Sequence, residues 1–130
     1  MKIILTLFIT LMSFGAVAHC PLYFADENKC ASLEWTDGPV LNANSSFRVF
    51  FWEKGDADHS YVSPEQSVEM KTWMIMANGH SHGGPTITWD EVENGVFEVA
   101  DAKFFMGGMN GHWQVKVIVG EEEQSVNVEF

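Results

Sequence analysis

His112-Trp113-Gln114-Val115-Lys116-Val117-Ile118-Val119 decides the fold class. In an extended chain successive side chains point to opposite faces, so Trp113, Val115, Val117 and Val119 share one side while Gln114 and Lys116 lie on the other. A strand with one apolar and one polar face sits half on a core and half in water, as antiparallel sheets allow. The same two-residue period recurs in Phe47-Arg48-Val49-Phe50-Phe51-Trp52, Val96-Phe97-Glu98-Val99 and Ser125-Val126-Asn127-Val128-Glu129-Phe130. Ser32-Leu33-Glu34-Trp35, Thr86-Ile87-Thr88-Trp89 and residues 67–76 extend the series, and turn signals separate the runs at Asp37-Gly38-Pro39, Gly55-Asp56, Asn94-Gly95 and Gly120-Glu121. Helical periodicity is absent. The pattern predicts an all-β, immunoglobulin-like β-sandwich of about seven antiparallel strands, with a small Greek-key barrel as the alternative.

The amino terminus bears on where the protein works. Met1-Lys2 is a short positive region, residues 3–14 are almost wholly apolar, and Ala16-Val17-Ala18 has the small-x-small pattern of a signal-peptidase site. Residues 1–18 are therefore read as a signal peptide, with His19 first in a mature domain spanning residues 19–130 and destined for the periplasm or secretion. The apolar run is shorter than the ~20 residues a bilayer span needs, so no membrane insertion of the mature chain is expected. Cys20 follows His19 rather than a small residue, which argues against lipoprotein processing.

Removing 18 of the 130 residues leaves 112, enough for one modest domain. The formal charge of −11 becomes −12 when Lys2 leaves with the leader. That excess argues against nucleic acid or anionic lipid as a partner and favours cations, basic protein surfaces or simple solubility. Cys20 and Cys30 are the two cysteines. In an oxidising compartment they are read as a disulfide closing a short loop, with soft-metal thiolates as the alternative.

Two stretches carry the chemistry. Trp73-Met74-Ile75-Met76-Ala77-Asn78-Gly79-His80-Ser81-His82-Gly83-Gly84 and Met106-Gly107-Gly108-Met109-Asn110-Gly111-His112 gather thioethers and imidazoles among glycines. Thioether sulfur is a soft ligand that suits Cu(I), and imidazole suits copper, zinc and nickel, so the mixture points to copper ahead of zinc. Along residues 67–76, Glu69 and Lys71 share one face, which puts Met70 and Met74 on the core face; Met76 falls where the strand runs out. His80 and His82 are read as residues of a curled, glycine-rich loop. Met106 and Met109 belong to a second such loop, and His112 lies opposite Trp113 at the start of its strand. Met76, His80, His82, Met106, Met109 and His112 are the expected metal ligands, drawn from two loops at one end of the sandwich. Zinc held by His80, His82, His112 and a carboxylate such as Asp90 is the second metal reading.

The segments 76–85, Gly95-Val96-Phe97-Glu98-Val99, Phe104-Phe105-Met106 and Gly111-His112-Trp113-Gln114-Val115 resemble the small periplasmic YtkA-like and FixH-like domains. Their pattern is Met-x-x-His-Gly-His, Gly-Val-Tyr, Phe-x-Met and Gly-x-Trp-x-Val, and the resemblance covers roughly residues 47–119. It implies an immunoglobulin-like sandwich and copper handling, in some relatives near cytochrome oxidase assembly. The Cys20/Cys30 loop lies outside that pattern, and the membrane anchor of FixH-like proteins has no counterpart here.

The functional expectation is a non-enzymatic periplasmic copper-binding protein, delivering or sequestering Cu(I)/Cu(II) and exchanging it with a periplasmic or membrane protein. The alternative is a metal-independent interaction or accessory module docking through Trp73 and loop methionines. A third reading, an enzyme built on copper chelated by the His19 amine and ring, is disfavoured by Cys20 behind it and the short chain. His59 is read as a polar loop residue, and no catalytic nucleophile, phosphate loop or carboxylate pair stands out.

Overall fold

The computed structural model describes residues 19–105 and 111–130. Among them are nine strands: β1 (Leu22–Phe24), β2 (Lys29–Asp37), β3 (Asn44–Glu53), β4 (Val68–Met76), β5 (Ser81–Gly83), β6 (Asp90–Glu93), β7 (Val96–Lys103), β8 (Gly111–Val119) and β9 (Glu122–Asn127). They form two antiparallel sheets in the orders β1-β2-β3-β7-β6 and β5-β4-β8-β9. Leaving β1 aside, β2-β3-β7-β6 against β5-β4-β8-β9 is the A-B-E-D against C′-C-F-G arrangement of an immunoglobulin-like sandwich.

The alternation seen in sequence sets the core. Phe47, Val49 and Phe51 of β3 and Val99 of β7 are fully buried; from the other sheet come Met70, Thr72 and Met74 of β4 and Trp113, Val115, Val117 and Val119 of β8. Each such apolar side chain contributes roughly 1.5–3 kcal/mol by leaving water. The buried hydroxyl of Thr72 donates to the Pro85 carbonyl at 3.4 Å, so it is satisfied inside the core.

Three differences from the sequence expectation stand out. Thr86-Ile87-Thr88-Trp89 is not a strand, because this segment carries the chain from one sheet to the other: Ile87 is buried, while the Thr88 N–H and hydroxyl bond the Asp101 carboxylate instead of a ladder. The short strands β1, β5 and β6 were not predicted, since three or four residues carry no readable period. The last strand runs over Glu122–Asn127 and so begins and ends earlier than expected.

Cys20 and Cys30 form a disulfide that fastens the segment before β1 to β2, so neither sulfur is a free thiolate. Among the described residues no helix is long and apolar enough to cross a membrane. At the end of the sandwich where β2 starts and β3 stops, the buried Lys29 ammonium lies 3.2 Å from Glu27 and 3.1 Å from Glu53. The Glu27 carboxylate also accepts the Glu65 and Gln66 backbone N–H groups, both at 2.8 Å. Burial alone would raise the Glu27 pKa, but those two backbone donors and Lys29 together hold it below the usual carboxylate value. For Lys29, burial works against the charge, and Glu53 and Glu27 outweigh it to leave the pKa raised.

Candidate functional site

At the opposite end, β4 turns into β5 through Ala77-Asn78-Gly79. The Met76 N–H donates to the His80 carbonyl at 2.8 Å and the Gly79 N–H to the Met76 carbonyl at 2.9 Å. Gly79 has φ +92°. This is a three-residue hairpin loop, a turn followed by one left-handed residue, and glycine takes that conformation without the Cβ clash. The Asn78 side chain accepts the His80 N–H at 3.0 Å and stiffens the turn.

The hairpin register decides which side chains share a face. Met74 pairs with His82 and Ile75 with Ser81, and the Met76 to His80 hydrogen bond continues the same register. Residues directly opposite on antiparallel strands project to the same side, with Cβ atoms about 5 Å apart. Met74, Met76, His80 and His82 therefore lie on one face, the face that Met74 buries in the core. On the other side of β4, Met74 pairs with Trp113 and Met76 with Gly111, which has no side chain to place over Met76. Burial falls along this face toward the rim: Met74 is buried, Met76 half-buried, and His80 and His82 are exposed.

Beside these residues is a cleft of about 290 Å³ lined by Met74, His82, Gly84, Pro85, Phe105 and Trp113. Gly84 makes it: a Cβ there would lie 2.6 Å from the Trp113 ring and also collide with the Thr72 hydroxyl. The Trp113 indole N–H donates to the Phe105 carbonyl at 3.0 Å and fixes the wall. His82 Nδ1 is 3.1 Å from the Gly83 carbonyl; in the Nδ1–H tautomer this bond leaves Nε2 as the basic nitrogen, the arrangement common for ligating histidines.

The register separates His112 from this group. His112 pairs with Ile75 and thus shares the outward face with Ile75 and Ser81, away from Met74, Met76, His80 and His82. Met106 and Met109 lie outside the described residues, although Phe105 and Gly111, which bracket them, both border the same rim. Asp90 starts β6 in the other sheet, and among the described residues no three His, Cys, Asp or Glu side chains converge. The tetrad with His112 and Asp90 that a zinc reading requires is therefore not assembled. Trp73 is on the outward face, half-buried, with the Lys71 and Lys116 ammonium groups 5.7 and 5.3 Å from its ring centre.

The sequence placed His80 and His82 in a loop; His80 does follow the turn just ahead of β5, whereas His82 lies within that strand. Met74, assigned to the core, is both a core residue and the cross-strand neighbour of His82. Only the register shows this second role. No protein-family model, curated protein or solved structure matches this chain.

Proposed function

We propose that this chain is a non-enzymatic periplasmic copper-binding protein that delivers or sequesters the ion, and that its resemblance to YtkA-like and FixH-like domains reflects that role. The observation that carries the reading is the β4–β5 register, which aligns two thioethers and two imidazoles on one face of one hairpin. Thioether and imidazole together suit Cu(I), and a set graded from buried Met74 to exposed His80 suits an ion that must enter and leave. Met106 and Met109 would add sulfur from the chain between Phe105 and Gly111. His112 faces the other way and is a weaker ligand candidate than the sequence implied. Imidazole ligates only when neutral, so affinity falls in acid.

The test is a Cu(I) titration against a chromophoric chelator, run on the mature protein and on Met76→Leu/His80→Ala/His82→Ala. The proposal predicts one tightly held Cu(I) in the parent and affinity reduced by about 100-fold or more in the variant, beyond what loss of a supporting contact costs a metal site. No uptake by the parent, or equal uptake by both, overturns it. The exposed Phe105 beside the apolar cleft favours a second reading, a metal-independent docking module. Partner capture that survives chelation and is lost in Phe105→Ser would favour that reading.

A further inference from the structure

The two seams along which the sheet edges meet are closed differently. On the side of β5 and β6 the chain closes the seam itself: Thr86-Ile87-Thr88 crosses there, and Ile87, 2% exposed, drops between the sheets. The Gly84 N–H donates to the Thr72 carbonyl at 3.0 Å, and the Asp101 carboxylate accepts the Thr88 N–H and hydroxyl, so the crossing segment is fastened to both sheets.

The opposite seam, where β1 and β2 face β9, is open. β1 covers only Lys29–Ala31 of β2, and among the described residues nothing pairs with that edge of β2 from Ser32 to Asp37, about 20 Å at the usual rise. β9 is likewise the last strand of its sheet. It is tied across the seam only near its start, where the Glu122 carboxylate accepts the Ala25 and Asp26 N–H groups at 3.0 and 2.7 Å. Beyond that tie lies a groove of about 500 Å³ lined by Leu22, Leu33, Glu34, Ser125 and Val126. Leu33 and Val126 pack against the core yet stay only half-buried beside it.

We propose that this seam binds an extended, basic segment of a partner protein, which adds as a strand to the free edge of β2. An unpaired edge offers backbone donors and acceptors that an incoming strand meets with its own. Every second side chain of that strand faces the groove, and Ile87 in its extended run is the chain's own example of what fills such a gap. An isoleucine- or valine-sized side chain therefore enters between Leu33 and Val126. The charge is one-sided: apart from Lys29, which Glu27 and Glu53 enclose, the charged residues of β2 and β9 are Glu34, Asp37, Glu122 and Glu123. Arg48, the cross-strand neighbour of Glu34, is held by Glu98 at 2.9 Å. Lysine or arginine between the apolar positions of the incoming strand answers these carboxylates, whereas a second copy of this chain would set acidic edge against acidic edge. The proposal is independent of the copper reading.

The experiment titrates exported protein, with a chelator present and at about 0.15 M salt to screen diffuse attraction. The probe is a capped peptide of alternating lysine and isoleucine, about seven residues long to span the edge. Its controls are a peptide of the same composition with the isoleucines consecutive, and two peptides N-methylated on either the lysine or the isoleucine amides. The expected result is one peptide per chain, with amide exchange slowed in Ser32–Asp37. One of the two N-methylated peptides should bind about 10-fold or more weakly, the scale of two lost backbone hydrogen bonds. Glu34→Lys, a change at an exposed side chain, should weaken binding several-fold with the fold intact. No binding, equal binding of the consecutive peptide, both N-methylated peptides binding like the parent, or protection confined to another edge overturns the proposal. Self-association that protects these same amides without peptide also overturns it, by assigning the seam to a second copy.

Discussion

The two ends of the sandwich treat their polar and polarisable groups in opposite ways. Where β2 begins, Lys29 is enclosed by Glu27 and Glu53, and Glu27 is also filled by the Glu65 and Gln66 N–H groups. Along β4, about 25 Å away at the usual strand rise, Met76, His80 and His82 crowd one face with few bonds among themselves; among the described residues the only ring hydrogen bond there is from His82 to the Gly83 carbonyl. A polar cluster that satisfies itself holds the fold together. One that leaves imidazole nitrogens open beside a cleft is available to a ligand.

The comparison is broken most severely by emptying the first cluster. Glu27→Ala leaves the Lys29 charge short of a partner and removes the acceptor of two backbone N–H groups, and loss of one member of a buried pair costs about 3 kcal/mol or more. Urea denaturation should show the midpoint fall with an unchanged slope. A loss below about 1 kcal/mol would mean that the cluster is not the fastening its geometry implies.

At the other end, Gly84→Ala forces a methyl group against Trp113 and Thr72. Overpacking of this kind costs about 1–3 kcal/mol, and it narrows the cleft without touching a candidate ligand. Trp113 should report it as a changed near-ultraviolet circular dichroism. If copper binding proceeds as before in this variant, the cleft and the ligand face are separate features.

That Gly84 and β5 matter was not legible in the sequence, while β3, β4 and β8 were. Nine or ten residues of alternation announce a half-buried strand whatever its neighbours do. Ser81-His82-Gly83 has no such run: all three residues are exposed and one is glycine, so they read as loop. Yet their pairing alone decides that His82 faces with Met74 and that His112, on the next strand, does not. Thr86-Ile87-Thr88-Trp89 is the reverse case. It alternates, but Ile87 is buried by a crossing between sheets, a tertiary fact with no local signature.

A smaller effect should appear in the pH dependence of stability. The native Glu27 pKa is lowered from 4.5, so the unfolded chain takes up this proton first as pH falls. Its stabilisation is complete above the ordinary carboxylate value and decays as pH drops toward the lowered native value. Lys29, raised from 10.5, gives the mirror image: its contribution holds below that value and is lost as pH climbs through the raised one. Stability followed by denaturation from pH 6 to 3 should fall less steeply in Glu27→Gln than in the parent. Equal slopes would show that other carboxylates carry the acid response.

The smallest change in stability, and the sharpest test of the contrast, belongs to His80→Ala/His82→Ala. Both side chains are exposed, and neither fills the core, so the metal-free variant should melt within about 0.5 kcal/mol of the parent. The readout is the shift on adding Cu(I). An ion that binds only the folded chain stabilises it by RT ln(1 + [L]/Kd), about 2.7 kcal/mol at a hundredfold excess over Kd. The parent should gain that increment and the variant should gain little of it. If the variant is already strongly destabilised without metal, these histidines are structural and the distinction between the two ends fails. If it is stable and still gains the full increment, the ends differ as described, but the copper is held by other residues.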